Sequence, residues 1–422
     1  MKGPDRQQQI YVGGVGGTRP VIPTDAAHLE ARAEEAMDVE GFAYVAGGAG
    51  TGATMAANRA AFDRHRIVPR MLRDVSERDT SVELFGRRLP SPFLLGPVGV
   101  MEMMHGDADL AAARAAAETG VPIVFSNQAS VPMETCAEQM GDAPRWFQLY
   151  WSTVDELVES LVGRAAACGC EAIVLTLDTT LLGWRTRDLD LAYLPFLRGK
   201  GIAQYTSDPV FQRLLDDVPT EDAPEPSIGV EAVKTLVQMG LNHPEPFLKG
   251  LASGRARAAV QHFTQIYSRP SLRWEDLEFL RERTALPIVL KGILDPADAA
   301  MAVDAGIDGV IVSNHGGRQV DGAIAALDAL PGVVEAVRGR IPVLMDSGIR
   351  SGADAFKALA LGATALLLGR PYVYGLALDG QDGVRAVIDN FTADFDLTMG
   401  LAGRQNVGEI GPDSLALAPG AR

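Results

Sequence analysis

His315 stands in the string Ser313-Asn314-His315-Gly316-Gly317-Arg318, which brings a titratable ring, glycine-freed backbone and a guanidinium within four residues. Histidine changes protonation near neutral pH, so it is a natural proton acceptor. An arginine fork can bind both oxygens of a carboxylate at once. Other polar strings follow short apolar runs: Pro97-Val98-Gly99, Ser126-Asn127-Gln128, Gln148 and Tyr150 in F-Q-L-Y, Thr176-Leu177-Asp178-Thr179, and Lys291-Gly292. Two more, Asp346-Ser347-Gly348-Ile349-Arg350 and Gly369-Arg370-Pro371, place glycine beside arginine. Backbone N–H groups freed at glycine, with Arg370 and Arg350, would neutralise a dianion such as a phosphate. No cluster of His, Cys and carboxylates has metal-ligand spacing, and no G-x-S-x-G elbow supplies a serine nucleophile. A Schiff base on Lys291 stays open on chemistry alone. Each residue taken singly reads as readily as a backbone cap or a satisfied core group. Their weight comes from recurring at one topological level.

The runs that precede these strings set that level. Phe93–Gly96, Ile123–Ser126, Trp146–Leu149, Ala172–Leu177, Ile288–Leu290, Gly309–Val312, Val343–Met345 and Ala365–Leu368 are apolar or β-branched, and each is followed by an alanine-rich amphipathic stretch. Eight such βα units predict a closed (β/α)8 TIM barrel of the α/β class, with its site at the carboxyl ends of the strands. A doubly wound sheet is the competing architecture. Loops seven and eight, where glycine meets arginine, are where barrels commonly hold phosphate. Residues 1–24 read as an extended arm, and 25–422 as the barrel with its N-terminal helical extension from Asp25 to about Phe62. Gly48, Gly50 and Ala53 fit a loose G-x-G-x-x-A, but a helical pattern precedes them, against a dinucleotide site. About a hundred residues separate the fourth run from the fifth. This excess, about 190–272, reads as a lid insertion, with acidic, proline-rich Thr220–Ser227 as a mobile part.

Composition narrows the partners. The 422 residues carry a formal charge of −16, which disfavours nucleic acid and anionic membrane surfaces. Three cysteines, Cys136, Cys168 and Cys170, form no disulfide framework and no C-x-x-C pair. The polar Met1–Val12 segment lacks the apolar core of a signal peptide, and no apolar run is long enough to span a bilayer. A cytoplasmic enzyme is expected.

The strings S-N-H-G-G-R-Q, D-S-G-I-R-S-G-A-D, K-A-L-A-L-G-A and L-G-R-P resemble the FMN-dependent 2-hydroxy acid oxidising family, from about Phe42 to Ile410. I-Y-V-G-G, H-G-D, L-D-T-T-L-L-G-W-R, P-F-L-R-G and Y-T-S-D-P-V-F-Q look most like its lactate 2-monooxygenase branch. The resemblance implies a bound FMN, a small 2-hydroxy acid such as lactate as substrate, dioxygen as acceptor, and a homo-oligomer, by analogy a tetramer. The outcome is either oxidative decarboxylation or release of keto acid and peroxide; a dehydrogenase not linked to oxygen is a further alternative. It implies His315 as base with Asp178 behind it, Arg185 and Arg318 on the substrate carboxylate, and Tyr44 and Tyr150 hydrogen-bonded to substrate. Lys291 is placed beside flavin N1. Ser126, Gln148, Thr176 and Ser313 would meet the ring or ribityl chain by side chain, and Pro97, Val98 and Gly99 by backbone. Asp346, Gly348, Arg350, Gly369 and Arg370 would hold ribityl and phosphate. Gly99, Asn127-Gln128 and lid residues 218–249 are read as bearing on substrate and oxygen chemistry, and Leu181, Leu182 and Trp151 as pocket walls. An FMN isomerase of diphosphates and a non-catalytic scaffold are the rival readings.

Overall fold

The structure is a computed structural model that describes residues 1–217, 229–247, 249 and 253–420. Eight parallel strands close into a barrel: β1 Phe93–Leu95, β2 Ile123–Phe125, β3 Arg145–Leu149, β4 Ile173–Thr176, β5 Ile288–Ile293, β6 Gly309–Val312, β7 Val343–Met345 and β8 Ala365–Leu368. Neighbours in sequence pair, and β8 pairs with β1 through Leu367 and Leu94. The strands are short and almost wholly buried because both faces are covered, which is why they read as continuous apolar runs rather than alternations. Leu94, Val124, Trp146, Val174, Val289, Ile311, Leu344, Ala365 and Leu367 turn inward and fill the barrel. The other face packs on a ring of alanine-rich helices.

A hairpin, Val82–Leu84 with Arg87–Leu89, plugs the amino end of the barrel. Its two-residue turn uses Phe85 and Gly86 at positive φ, and Phe85 stacks 5.5 Å from Trp146. Only the carboxyl end is left to carry a site. A second small sheet pairs His65–Ile67 with Leu415–Leu417, which ties the tail to the N-terminal part.

Four helices precede the barrel: α1 Gly3–Val15, α2 Ala26–Ala36, α3 Val39–Ala46 and α4 Ala53–Asp63. The reading of residues 1–24 as extended is corrected by α1. Pro4 and Asp5 begin it, and Gly3 docks on the last helix, its N–H donating to Asp396 at 2.8 Å. Asp25 and Asp38 cap α2 and α3 by accepting from His28 and Gly41 N–H. Gly48 and Gly50 join two helices rather than following a strand, which argues against a dinucleotide loop. No helix among the described residues is long and apolar enough to cross a membrane.

The interval after β4 carries several helices among its loops, including Ala203–Thr206, Pro209–Leu214, Val230–Asn242 and Arg255–Ile266. Thr220–Ser227 lies outside the described residues. The insertion has its own aromatic core: Phe263 meets Tyr205 at 4.8 Å and Phe196 at 5.4 Å. Two anchors fasten it to the barrel. Asn127 Nδ2 donates to Tyr205 Oη at 2.7 Å, and Arg164 pairs with buried Asp208 at 2.9 Å. Phe263→Ala should destabilise by about 3–5 kcal/mol and lower the urea midpoint. An unchanged midpoint would mean that the insertion adds nothing to stability.

Candidate active site

Each strand end delivers one part of the mouth. Gln148 on β3 accepts from Ser126 Oγ at 3.2 Å and donates to Thr176 Oγ1 at 3.1 Å, so three strand ends share one buried polar layer. At β5 the pairing slips between Lys291 and Ile293, a bulge centred on Gly292 at φ +107°. A Cβ at Gly292 would stand 3.0 Å from that of Asp178, so glycine admits the aspartate to the pocket floor.

Lys291 Nζ donates to Ser313 Oγ at 2.9 Å and pairs with Asp346 Oδ2 at 3.1 Å. Burial disfavours its charge, but Asp346 and Asp178 outweigh burial and raise its pKa, so it is a fixed cation. His315 Nδ1 lies 2.8 Å from Asp178 Oδ1. Burial, with Lys291 and Arg185, lowers the His315 pKa against the opposing pull of Asp178. Burial also acts on Asp178, yet His315 and Lys291 hold its carboxyl below the usual range. The pair is therefore a neutral imidazole on a carboxylate. Nδ1 must carry the proton it donates to Asp178, which leaves Nε2 as a lone-pair acceptor.

Arg318 sits 5.1 Å over the Tyr44 ring and donates to Gly47 O at 2.8 Å. Arg370 donates to Val45 O, Gly316 O and Gly47 O at 2.8–3.0 Å. The carboxyl end of α3 thus turns its carbonyls onto both cations. Burial, then Arg185 and Arg370, pushes the Arg318 pKa down to about 9. Burial likewise pushes Arg370 to about 10. A guanidinium keeps its proton in proteins, so these shifts mark crowded, uncompensated positive charge that an anion would relieve. Arg185 Nε and Asp178 Oδ2 are buried without a partner among the described residues. Tyr150 is pushed up to about 12 by burial and then Asp178, so its hydroxyl stays a donor.

Around these groups lies a cavity with about 940 Å³ of empty space. Its wall contains the expected Tyr44, Tyr150, Arg185, His315, Arg318 and Lys291, the 97–99 backbone, Ser126 and Gln148, and the cluster Asp346, Gly348, Arg350, Gly369 and Arg370. Thr176, Ser313 and Asp178 lie one hydrogen bond behind it, on Gln148, Lys291 and His315. The three expected wall residues are elsewhere. Leu181 and Leu182 are 70% and 46% exposed, and Trp151 is buried against Phe279 at 5.9 Å. Gln319 Nε2 donates to the Leu181 carbonyl, at 2.8 Å.

Gln319 and Ser347 carry no role in the sequence alone, whereas Gln128 is expected to bear on the substrate. Gln319 Nε2 donates to Asp178 O at 2.6 Å, while Oε1 accepts from Gly183 N and Arg185 Nη2, both at 3.3 Å. It laces the loop after β4 to the His315 turn. Gln128 lines the cavity beside Gly99, where a Cβ would stand 3.1 Å from its own. The adjacent GGRQ string and the strand-end position were the available signals.

The donor set fits FMN. Arg350 and Arg370 line the cavity together with Gly369, where an added Cβ would meet nothing within 4 Å. Lys291 and the Ser126–Gln148 layer line it too. A sequence model described as FMN-dependent dehydrogenase matches residues 33–417. An L-lactate oxidase of Lysinibacillus sphaericus is 42% identical over 92% of this chain and 91% of its own. The human protein named 2-Hydroxyacid oxidase 1 is 38% identical over 90% and 92%. A crystal structure of mandelate oxidase superposes with TM-score 0.74 at 37% identity, covering 94% of this chain and 98% of that one. The chain belongs to the FMN-dependent dehydrogenase family, and FMN is its cofactor.

Proposed function

We propose that the protein oxidises a small L-2-hydroxy acid at C2, with dioxygen as final acceptor, to give a 2-keto acid and hydrogen peroxide. The observation that carries this is a neutral His315 on the Asp178 carboxylate, beside a cavity that also holds Arg185 and Arg318, neither of which forms an ion pair within 4 Å among the described residues. Arg185 and Arg318 bind the substrate carboxylate, and Tyr44 and Tyr150 donate to its oxygens. That grip turns C2 and its hydroxyl toward His315. Nε2 of His315 takes the hydroxyl proton, and Asp178 stabilises the imidazolium as it forms. As the C2–H bond breaks, its hydrogen and electron pair leave C2, and bound FMN would supply the two-electron acceptor, which dioxygen would reoxidise to give peroxide. Ser126, Gln148, Lys291 and the 97–99 backbone would hold its ring, and Asp346, Gly348, Arg350, Gly369 and Arg370 its ribityl phosphate, with Thr176 and Ser313 supporting from behind. The relatives named as L-lactate oxidases and hydroxy acid oxidases support this reading.

The second reading is lactate 2-monooxygenase chemistry, in which the keto acid stays and peroxide decarboxylates it to a shorter acid, carbon dioxide and water. It is favoured by the insertion's contact with the mouth, where a Cβ on Gly201 would stand 3.1 Å from Gln128 O. Product analysis after one aerobic turnover separates the two: stoichiometric peroxide supports the oxidase, and carbon dioxide without peroxide overturns it.

The base assignment fixes the pH dependence. Neutral His315 is the active form, and burial lowers its pKa. Activity is therefore kept until the pH falls below the ordinary histidine value of 6.5. A kcat/KM profile with its acid limb above that value would contradict the assignment.

A further inference from the structure

The turn that carries the base is strained, and so is its neighbour. His315 has φ +56° and Ser347, just after β7, has φ +74°, a region that side chains other than glycine avoid. Glycine would stand at position 347 without that strain, so the serine must contribute something a hydrogen cannot. Its hydroxyl donates to Asp346 Oδ1 at 2.7 Å. It accepts from Gly316 N at 3.0 Å and Asn314 N at 3.4 Å. A serine oxygen has one proton and two lone pairs, so all are committed within the protein.

Those partners close a ring. Gly316 and Asn314 flank His315. The other oxygen of Asp346 pairs with Lys291 at 3.1 Å. Lys291 donates to Ser313 Oγ at 2.9 Å, and that oxygen accepts from His315 N at 3.0 Å. Polar contacts thus run from Lys291 through Asp346 and Ser347 to the His315 turn, and back through Ser313. We propose that Ser347 is a positioning residue that holds the proton acceptor His315 and the cation Lys291 in one fixed geometry. This rests on reading His315 as the base.

Ser347→Gly, measured as FMN-loaded enzyme, removes the hydroxyl and the strain together. Its kcat should fall about tenfold, the order of one lost hydrogen bond at a reacting group. KM should stay within about twofold, because Arg185 and Arg318 keep their contacts. The thermal midpoint should hold within about 3 °C, since relief of strain offsets the extra freedom of glycine in the unfolded chain. Ser347→Ala keeps the strain and loses the hydroxyl, so it should show the same kcat loss at a lower midpoint. A Ser347→Gly enzyme with wild-type kcat overturns the inference while leaving the base assignment intact. Equal damage to kcat, KM and FMN content also overturns it, because the serine would then be merely structural. Wild-type turnover by His315→Asn would remove the reading beneath it.

Discussion

His315→Asn should slow anaerobic bleaching of the flavin by 2-hydroxy acid by roughly 10²–10⁴-fold, the usual contribution of a positioned general base. Asparagine is the informative replacement because position 315 has φ +56°, and asparagine tolerates the left-handed region better than alanine. The turn, and with it Arg318, keeps its backbone course while the proton acceptor is lost. FMN content and substrate affinity should therefore change little. Asp178 would then face a side chain that accepts no proton, which is why the loss falls on kcat. A His315→Asn enzyme that reduces its flavin at the wild-type rate would place the base elsewhere.

The second large effect concerns Arg318. Arg318→Met keeps much of the side-chain volume over the Tyr44 ring and removes the charge. Hydrogen bonds between charged groups are worth about 1.5–3 kcal/mol, so KM should rise by roughly 10–150-fold. The FMN should stay bound, because Arg350 and Arg370 remain in the cavity wall. Loss of FMN with KM unchanged would show that Arg318 faces the phosphate instead. The one backbone contact of Arg318, to Gly47 O, is not enough to turn the variant into a folding defect, since Arg370 also donates to that carbonyl.

The barrel was legible because its physics is local. Each strand is a short, largely apolar run buried on both faces, and each is closed by a polar string that the chain then uses. What escaped the sequence is what depends on distant partners. The plug hairpin offers Val82, Leu84, Phe85 and Leu89 to the core among charged residues. The sheet joining His65–Ile67 to Leu415–Leu417 pairs segments far apart in the chain. The helix Gly3–Val15 ends in glycines and exposed residues, and it is docked by Asp396 and Asn390 near the other terminus. The same division holds in the site. His315, Asp178 and the arginines announce themselves by type. Ser347 and Gln319 matter through hydrogen bonds that only the closed barrel creates. Leu181 and Leu182 looked like wall residues on apolarity alone, and a loop gives apolarity no direction.

The central claim is that an FMN in this pocket is reduced by a 2-hydroxy acid held on Arg185 and Arg318 with His315 as base. The direct test is an anaerobic titration of the FMN-loaded protein with a panel of L-2-hydroxy acids, followed at the flavin absorbance. The expected result is a yellow protein that one or more of them bleaches and that air restores. A yellow protein that no hydroxy acid bleaches would contradict it.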